Sequence, residues 1–123
     1  LKIWKKDYER VITLAKGAYT STNVKEIQAE SLFILARVYH VREDMDTAHK
    51  FYNRAINLAP ELVPARFGLA QTLIWDDKYD EAAAHLRLVL GVSDEAVDAH
   101  AALGLLEVKT YLDQQQQQQQ QQQ

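Results

Sequence analysis

Leu35-Ala36, Tyr39, Ala48, Tyr52 and Ala55 are answered 34 residues later by Leu69-Ala70, Leu73, Ala82, Leu86 and Val89. A recurrence of that length marks one supersecondary unit that cannot bury its own apolar face and must stack on its neighbours. The period therefore predicts an all-α fold, an α-solenoid of antiparallel helix pairs. A generic antiparallel bundle also spaces apolar residues at helical steps, but nothing in a bundle requires the same register over two successive units. The function of such a stack lies in the surface it presents, so the sequence speaks of binding more than of chemistry.

Local signals divide the chain into six helices. Tyr8, Val11, Ile12, Ala15 and Ala18 recur at three- and four-residue steps and predict a helix over residues 5–19. Thr20-Ser21-Thr22-Asn23 breaks it. Asn23 with Glu26 three residues on reads as a reciprocal cap for a second helix reaching Val41. Arg42-Glu43-Asp44 is a polar turn, with Asp44 or Asp46 capping a third helix that Pro60 ends. Pro64 suits the first turn of a fourth helix running to Trp75. A fifth is expected from Tyr79 to Leu90, with Gly91 as its stop, and a sixth from Glu95 to Leu112 after a cap at Ser93 or Asp94.

Small residues at 36, 48 and 55 allow helix axes to cross at about 8–10 Å, and bulky ones at Leu32, Leu35, Tyr39 and Tyr52 wedge between them. With Pro60, this order of bulky, Leu, small, Tyr, Ala, aromatic, Ala and Pro resembles the tetratricopeptide repeat. Counted from Ala29, repeats cover 29–62 and 63–96. Residues 97–113 open a partial third repeat, and the helix over 5–19 is the second half of an earlier one. Residues 1–113 thus form the repeat segment, and 114–123 a polyglutamine tail, read as disordered or as a frayed extension of the last helix. Arg66, Leu73, Asp94 and Glu107 depart from the consensus. Tyr8 matches Met45 at an offset of 37 rather than 34, which predicts a first turn longer by three residues.

The tetratricopeptide resemblance implies that the first helix of each pair lines a concave groove through its second, fifth, ninth and twelfth positions. Here these are Glu30, Phe33, Arg37 and His40, then Pro64, Phe67, Gln71 and Ile74, with Trp75 beside them. Aromatic and Arg side chains dominate binding hot spots, so Phe33, Arg37, His40, Phe67, Gln71, Ile74 and Trp75 are the candidate partner-binding residues. The competing reading packs Phe33 and Phe67 into adjoining repeats and leaves Arg37 and His40 solvated. Asp98, Ala101, Leu105 and Val108 hold the matching positions in the last repeat. Co-chaperones of this class clamp a terminal carboxylate with Lys and Asn, where this chain has Phe33, Arg37, Phe67 and Gln71. A cytosolic adaptor of a chaperone or other multiprotein complex is therefore the alternative and not the first choice.

No signature of chemistry accompanies these features. His40, His49, His85 and His100 lack metal-ligand spacing, and the carboxylates at 43–46 and 76–81 cluster at turns, where they favour helix N-termini. There is no phosphate-binding glycine loop and no cysteine, so no catalytic residue, metal or cofactor is expected. A net charge of −3 gives no general attraction to nucleic acid or anionic membranes. No apolar run nears the roughly 20 residues of a spanning helix, so the chain reads as soluble and intracellular. Its start at Leu1, mid-pattern, suggests a piece of a longer protein.

The runs Lys5-Lys6-Asp7-Tyr8, Gln28-Ala29-Glu30-Ser31, Leu35-Ala36-Arg37, His40-Val41-Arg42-Glu43-Asp44 and Phe67-Gly68-Leu69-Ala70-Gln71 resemble one family in particular. It is the large tetratricopeptide subunit of the RNA polymerase II-associated factor (PAF) complex. The resemblance implies a nuclear, non-catalytic scaffold for protein–protein interaction in transcription elongation and co-transcriptional histone modification. Its implied partners are other PAF complex subunits, held in the concave groove, and RNA polymerase II indirectly; no nucleic acid, membrane or small-molecule substrate is implied.

Overall fold

The computed structural model describes residues 7–92 and 97–121. They form six helices: α1 (Tyr8–Thr20), α2 (Lys25–Val41), α3 (Met45–Leu58), α4 (Val63–Trp75), α5 (Tyr79–Val92) and α6 (Val97–Gln121). Among the described residues there is no strand. The extensive interfaces join successive helices, α1 to α2 through α5 to α6, so the core is a continuous seam along the stack. Ala29, Ala36, Ala48, Ala55, Ala65, Ala70 and Ala82 are fully buried in it. Side chains this small let neighbouring backbones approach closely, and Leu32, Val38, Tyr52, Leu86 and Val89 fill the space between. Each such aliphatic side chain contributes about 1.5–3 kcal/mol by leaving water.

The turns repeat with the sequence. Glu43 and Asp77, 34 residues apart, both adopt left-handed backbone, with φ of 63° and 59°. The amide of Asp44 donates to the Tyr39 carbonyl and that of Lys78 to Leu73, each at 2.9 Å. This six-to-one bond over a left-handed residue closes the last carbonyls of α2 and α4 in the same way. Asp44 then caps α3, its Oδ1 accepting from the Thr47 amide at 3.3 Å.

Several local expectations are corrected. Asn23 does not cap α2; Val24 is the N-cap residue and no side chain caps the helix, while Thr22 shapes the turn before it, its Oγ1 accepting from the Val24 amide at 3.1 Å and its carbonyl accepting from Gln28 Nε2 at 2.9 Å. The connection over 21–24 is no longer than that over 59–62. The offset between Tyr8 and Met45 is instead taken up by α2, which has 17 residues where α4 has 13. Gly91 does not stop α5, which runs on to Val92. The glutamines continue α6 as far as Gln121. Lys5 and Lys6, expected in the first helix, and the expected caps at Ser93 and Asp94 lie outside the described residues.

Arg66, at a position expected to be bulky and apolar, is half-buried: Nη2 donates to the Pro60 carbonyl at 3.1 Å and Nη1 to His85 Nδ1 at 3.0 Å. Its stem packs while its head finds acceptors, which is how a long cation replaces an aromatic here. No buried side-chain nitrogen or oxygen among the described residues lacks a partner.

Candidate protein-binding groove

Three of the groove positions of α2 converge on one residue of α3. The Tyr52 ring is fully buried, with the Phe33 ring centroid 6.1 Å away and the His40 ring edge-on at 5.8 Å. His40 Nδ1 lies 2.8 Å from the Tyr52 hydroxyl. Burial lowers the His40 pKa from its usual 6.5, and the Arg37 guanidinium lowers it further. Burial raises the Tyr52 phenol against the opposing pull of Arg37. These shifts suit a phenol that donates to an unprotonated imidazole nitrogen. The sequence marks Tyr52 only as a packing wedge. Its hydroxyl also sets the orientation of His40, a role fixed by where α2 crosses α3.

From the other side α4 meets the same ring. Gly68 lies against Tyr52 so closely that a Cβ at residue 68 overlaps the ring carbons. That contact positions α4, on which Phe67, Gln71 and Ile74 are half-buried, with Phe67 and Ile74 packed against the core. Phe33, Arg37, His40, Phe67, Gln71 and Ile74 are therefore neither sealed in the interior nor fully solvated. Each shows part of its surface along the first helices of the two repeats.

Trp75 stands apart. It is 66% exposed and borders a cleft of about 270 Å³ with Met45, His49 and Lys50 of α3 and Thr72 of α4. Thr72 Oγ1 donates to the Leu69 carbonyl at 2.7 Å, so the proton in its 3.1 Å contact with His49 Nδ1 comes from the imidazole. Trp75 thus forms a rim at the C-terminal end of α4, facing α3 across the cleft, rather than part of the strip's floor. Glu30, Pro64 and Asp98 are exposed at the remaining polar or terminal positions, as are Ala101, Leu105 and Val108 on α6.

Charge on the strip is concentrated in Arg37. The ion pairs among the described residues are Arg42 with Glu9 at 3.3 Å and Lys78 with Asp76 at 3.4 Å, so Arg37 has no carboxylate of its own. A half-buried guanidinium in that state can accept a carboxylate from a partner in a charge-assisted hydrogen bond. Arg42, by contrast, is fully occupied: besides Glu9 it lies over the Tyr8 ring at 5.6 Å and the Tyr39 ring at 6.0 Å. Among the described residues no group of three or more His, Cys, Asp or Glu is placed to hold a metal ion. No helix among them is long and apolar enough to cross a membrane.

The helices stack as repeated pairs, and comparison with known proteins agrees with that fold. Over 80 residues, 64% of the chain, the sequence is 34% identical to the RNA polymerase-associated protein CTR9 of Caenorhabditis elegans. The aligned stretch covers 7% of that relative's length. Residues 4–89, most of α1 through α5, match the family described as anaphase-promoting complex, cyclosome, subunit 3. With its paired helices, repeated turns and 34-residue register, the chain is a tetratricopeptide-type repeat protein that belongs to the anaphase-promoting complex, cyclosome, subunit 3 family.

Proposed function

We propose that this protein is a non-catalytic scaffold that holds a segment of another polypeptide along the inner faces of α2 and α4. The observation that carries the reading is the strip of half-buried Phe33, Arg37, His40, Phe67, Gln71 and Ile74, in which Arg37 lacks a carboxylate. Aromatic anchors and a guanidinium without a carboxylate suit an extended or helical segment with apolar side chains and an acidic one at Arg37. Trp75 extends the contact at the rim.

The assembly served is an RNA polymerase II-associated complex of the PAF kind, with a nuclear location and a role in elongation and histone modification. The support is the identity with the RNA polymerase-associated relative, on top of the residue runs that resemble the PAF scaffold subunit. A second reading, a subunit of an assembly like the anaphase-promoting complex, is favoured by the family match over residues 4–89.

Affinity capture of the protein from nuclear extract separates these readings. Co-purification of RNA polymerase II and its associated factors supports the first, and co-purification of cyclosome subunits replaces it with the second. In the same experiment, Phe67→Ala combined with Trp75→Ala should lower partner recovery by about tenfold or more while helical circular dichroism is retained. Undiminished recovery contradicts the groove.

A further inference from the structure

The turn that closes α2 at Glu43 and α4 at Asp77 is due again at Tyr111, 34 residues further on. There the backbone does not turn, and α6 continues as one 25-residue helix to Gln121. A helix of that length carries two faces. Ala99 and Leu106 are buried and Ala102 and Leu103 half-buried where it packs on α5. Well around the helix from them, Ala101, Leu105, Val108 and Leu112 form a second apolar line, with Leu105, Val108 and Leu112 exposed by 67%, 55% and 53%.

Residues 101, 105, 108, 112, 115 and 119 follow one another at alternating steps of four and three. That is the heptad spacing of a coiled-coil seam, with Leu105 and Leu112 at one core position and Ala101 and Val108 at the other. Gln115 and Gln119 carry the same register into the glutamine run. The seam is free of carboxylates, because Glu107 and Asp113 lie off it. Lys109, which flanks it, is drawn toward α5, its ammonium 5.1 Å from the Tyr79 ring centre and donating to the Tyr79 hydroxyl at 3.4 Å.

We infer that α6 pairs with α6 of a second copy of this chain as a parallel, in-register coiled coil. The glutamines identify the occupant. Each amide both donates and accepts, so a glutamine line is complementary to another glutamine line, as an apolar line is to an apolar one. A parallel pair sets Leu105, Val108 and Leu112 against their own copies and glutamine against glutamine. An antiparallel pair, or an apolar helix from elsewhere, buries unpaired amides. The stretch lies outside the region of the family match, and although Ala101, Leu105 and Val108 hold the groove positions of the last repeat, the seam is a separate surface from the strip on α2 and α4.

The test is the association state of the full 123-residue chain by sedimentation velocity. A reversible monomer–dimer equilibrium is expected, and Leu105→Glu combined with Leu112→Glu should leave monomer over the same concentrations with unchanged helical circular dichroism. Removing residues 114–123 should weaken the dimer by about tenfold or more. The chain has no cysteine, so Leu112→Cys gives a single thiol that should form a linked dimer under mild oxidation. Leu14→Cys, at an equally exposed site on α1, should not. A chain that stays monomeric, a dimer that survives the double substitution or is indifferent to loss of the glutamines, or equal cross-linking from residue 14 each overturns the inference.

Discussion

Gly68 of α4 lies against the ring of Tyr52 in α3, with no room between them for a methyl group. Tyr52 has no exposed surface and also packs against Phe33 and His40, so the ring has little room to withdraw. This one close approach sets the spacing between the two repeats and hence between the groove residues on α2 and those on α4.

Gly68→Ala should therefore destabilise the protein. Helix propensity favours alanine by about 1 kcal/mol, but overpacking a closed site costs about 1–3 kcal/mol, and a fixed ring puts the penalty at the upper end. A net loss of about 1–2 kcal/mol is expected in denaturant unfolding. Gly17→Ala and Gly104→Ala, where a Cβ meets nothing within 4 Å, should instead stabilise by about 0.5–1 kcal/mol.

The repeated left-handed turn makes a second prediction. A non-glycine residue in that conformation carries about 1 kcal/mol of strain or more, and a β-branched one carries the most. Glu43 is exposed and its φ is 63°. Glu43→Gly should be neutral to stabilising by about 0.5 kcal/mol, after the added freedom of the unfolded chain is offset. Glu43→Val should destabilise by about 1 kcal/mol or more. Urea titration of the two variants against the parent checks both signs.

Stability should fall as the solution is acidified through the histidine range. His40 is held below 6.5 by burial and then Arg37, and His85 by burial, Arg66 and His49, with Glu81 opposing. With folded pKa values depressed, the unfolded chain takes up protons first. The contribution of these two histidines is full above about pH 6.5 and is lost as the pH drops toward and through their folded values. Melting should thus be lower at about pH 5.5 than at about pH 7.5. His40→Gln and His85→Gln should each shrink that difference, and an unchanged difference in both contradicts the assignment.

The fold was legible because its packing rests on residue size at fixed spacing: Ala36, Ala48 and Ala55, with Leu35 and Tyr52, can occupy those positions only as stacked helix pairs. Less could be read where several residues competed for one local task. Thr22 and Asn23 both suit a cap, but Val24 takes the N-cap position and the Thr22 hydroxyl bonds its amide instead. Gly91 weakens a helix by only about 1 kcal/mol, less than Val89 and Leu90 gain by packing. The run of α6 through the glutamines reads as either coil or helix in the sequence, because glutamine is a fair helix former but offers no apolar face to hold the helix in place. Of the candidate site, the strip positions followed from the repeat register, but the joining of Phe33 and His40 through Tyr52 did not. Nor did the separation of Trp75 into the cleft beside His49, since both depend on how helices cross rather than on spacing along one helix.

The central claim, that the inner faces of α2 and α4 hold the partner polypeptide, is tested most directly by photo-cross-linking from single positions in the assembled complex. A photoreactive residue replacing Gln71 should attach to another subunit. The same residue replacing Asn53 or Arg87, equivalent exposed positions on the second helices α3 and α5, should not. Cross-links from positions 53 and 87 with none from 71 would place the partner on the opposite face and contradict the account.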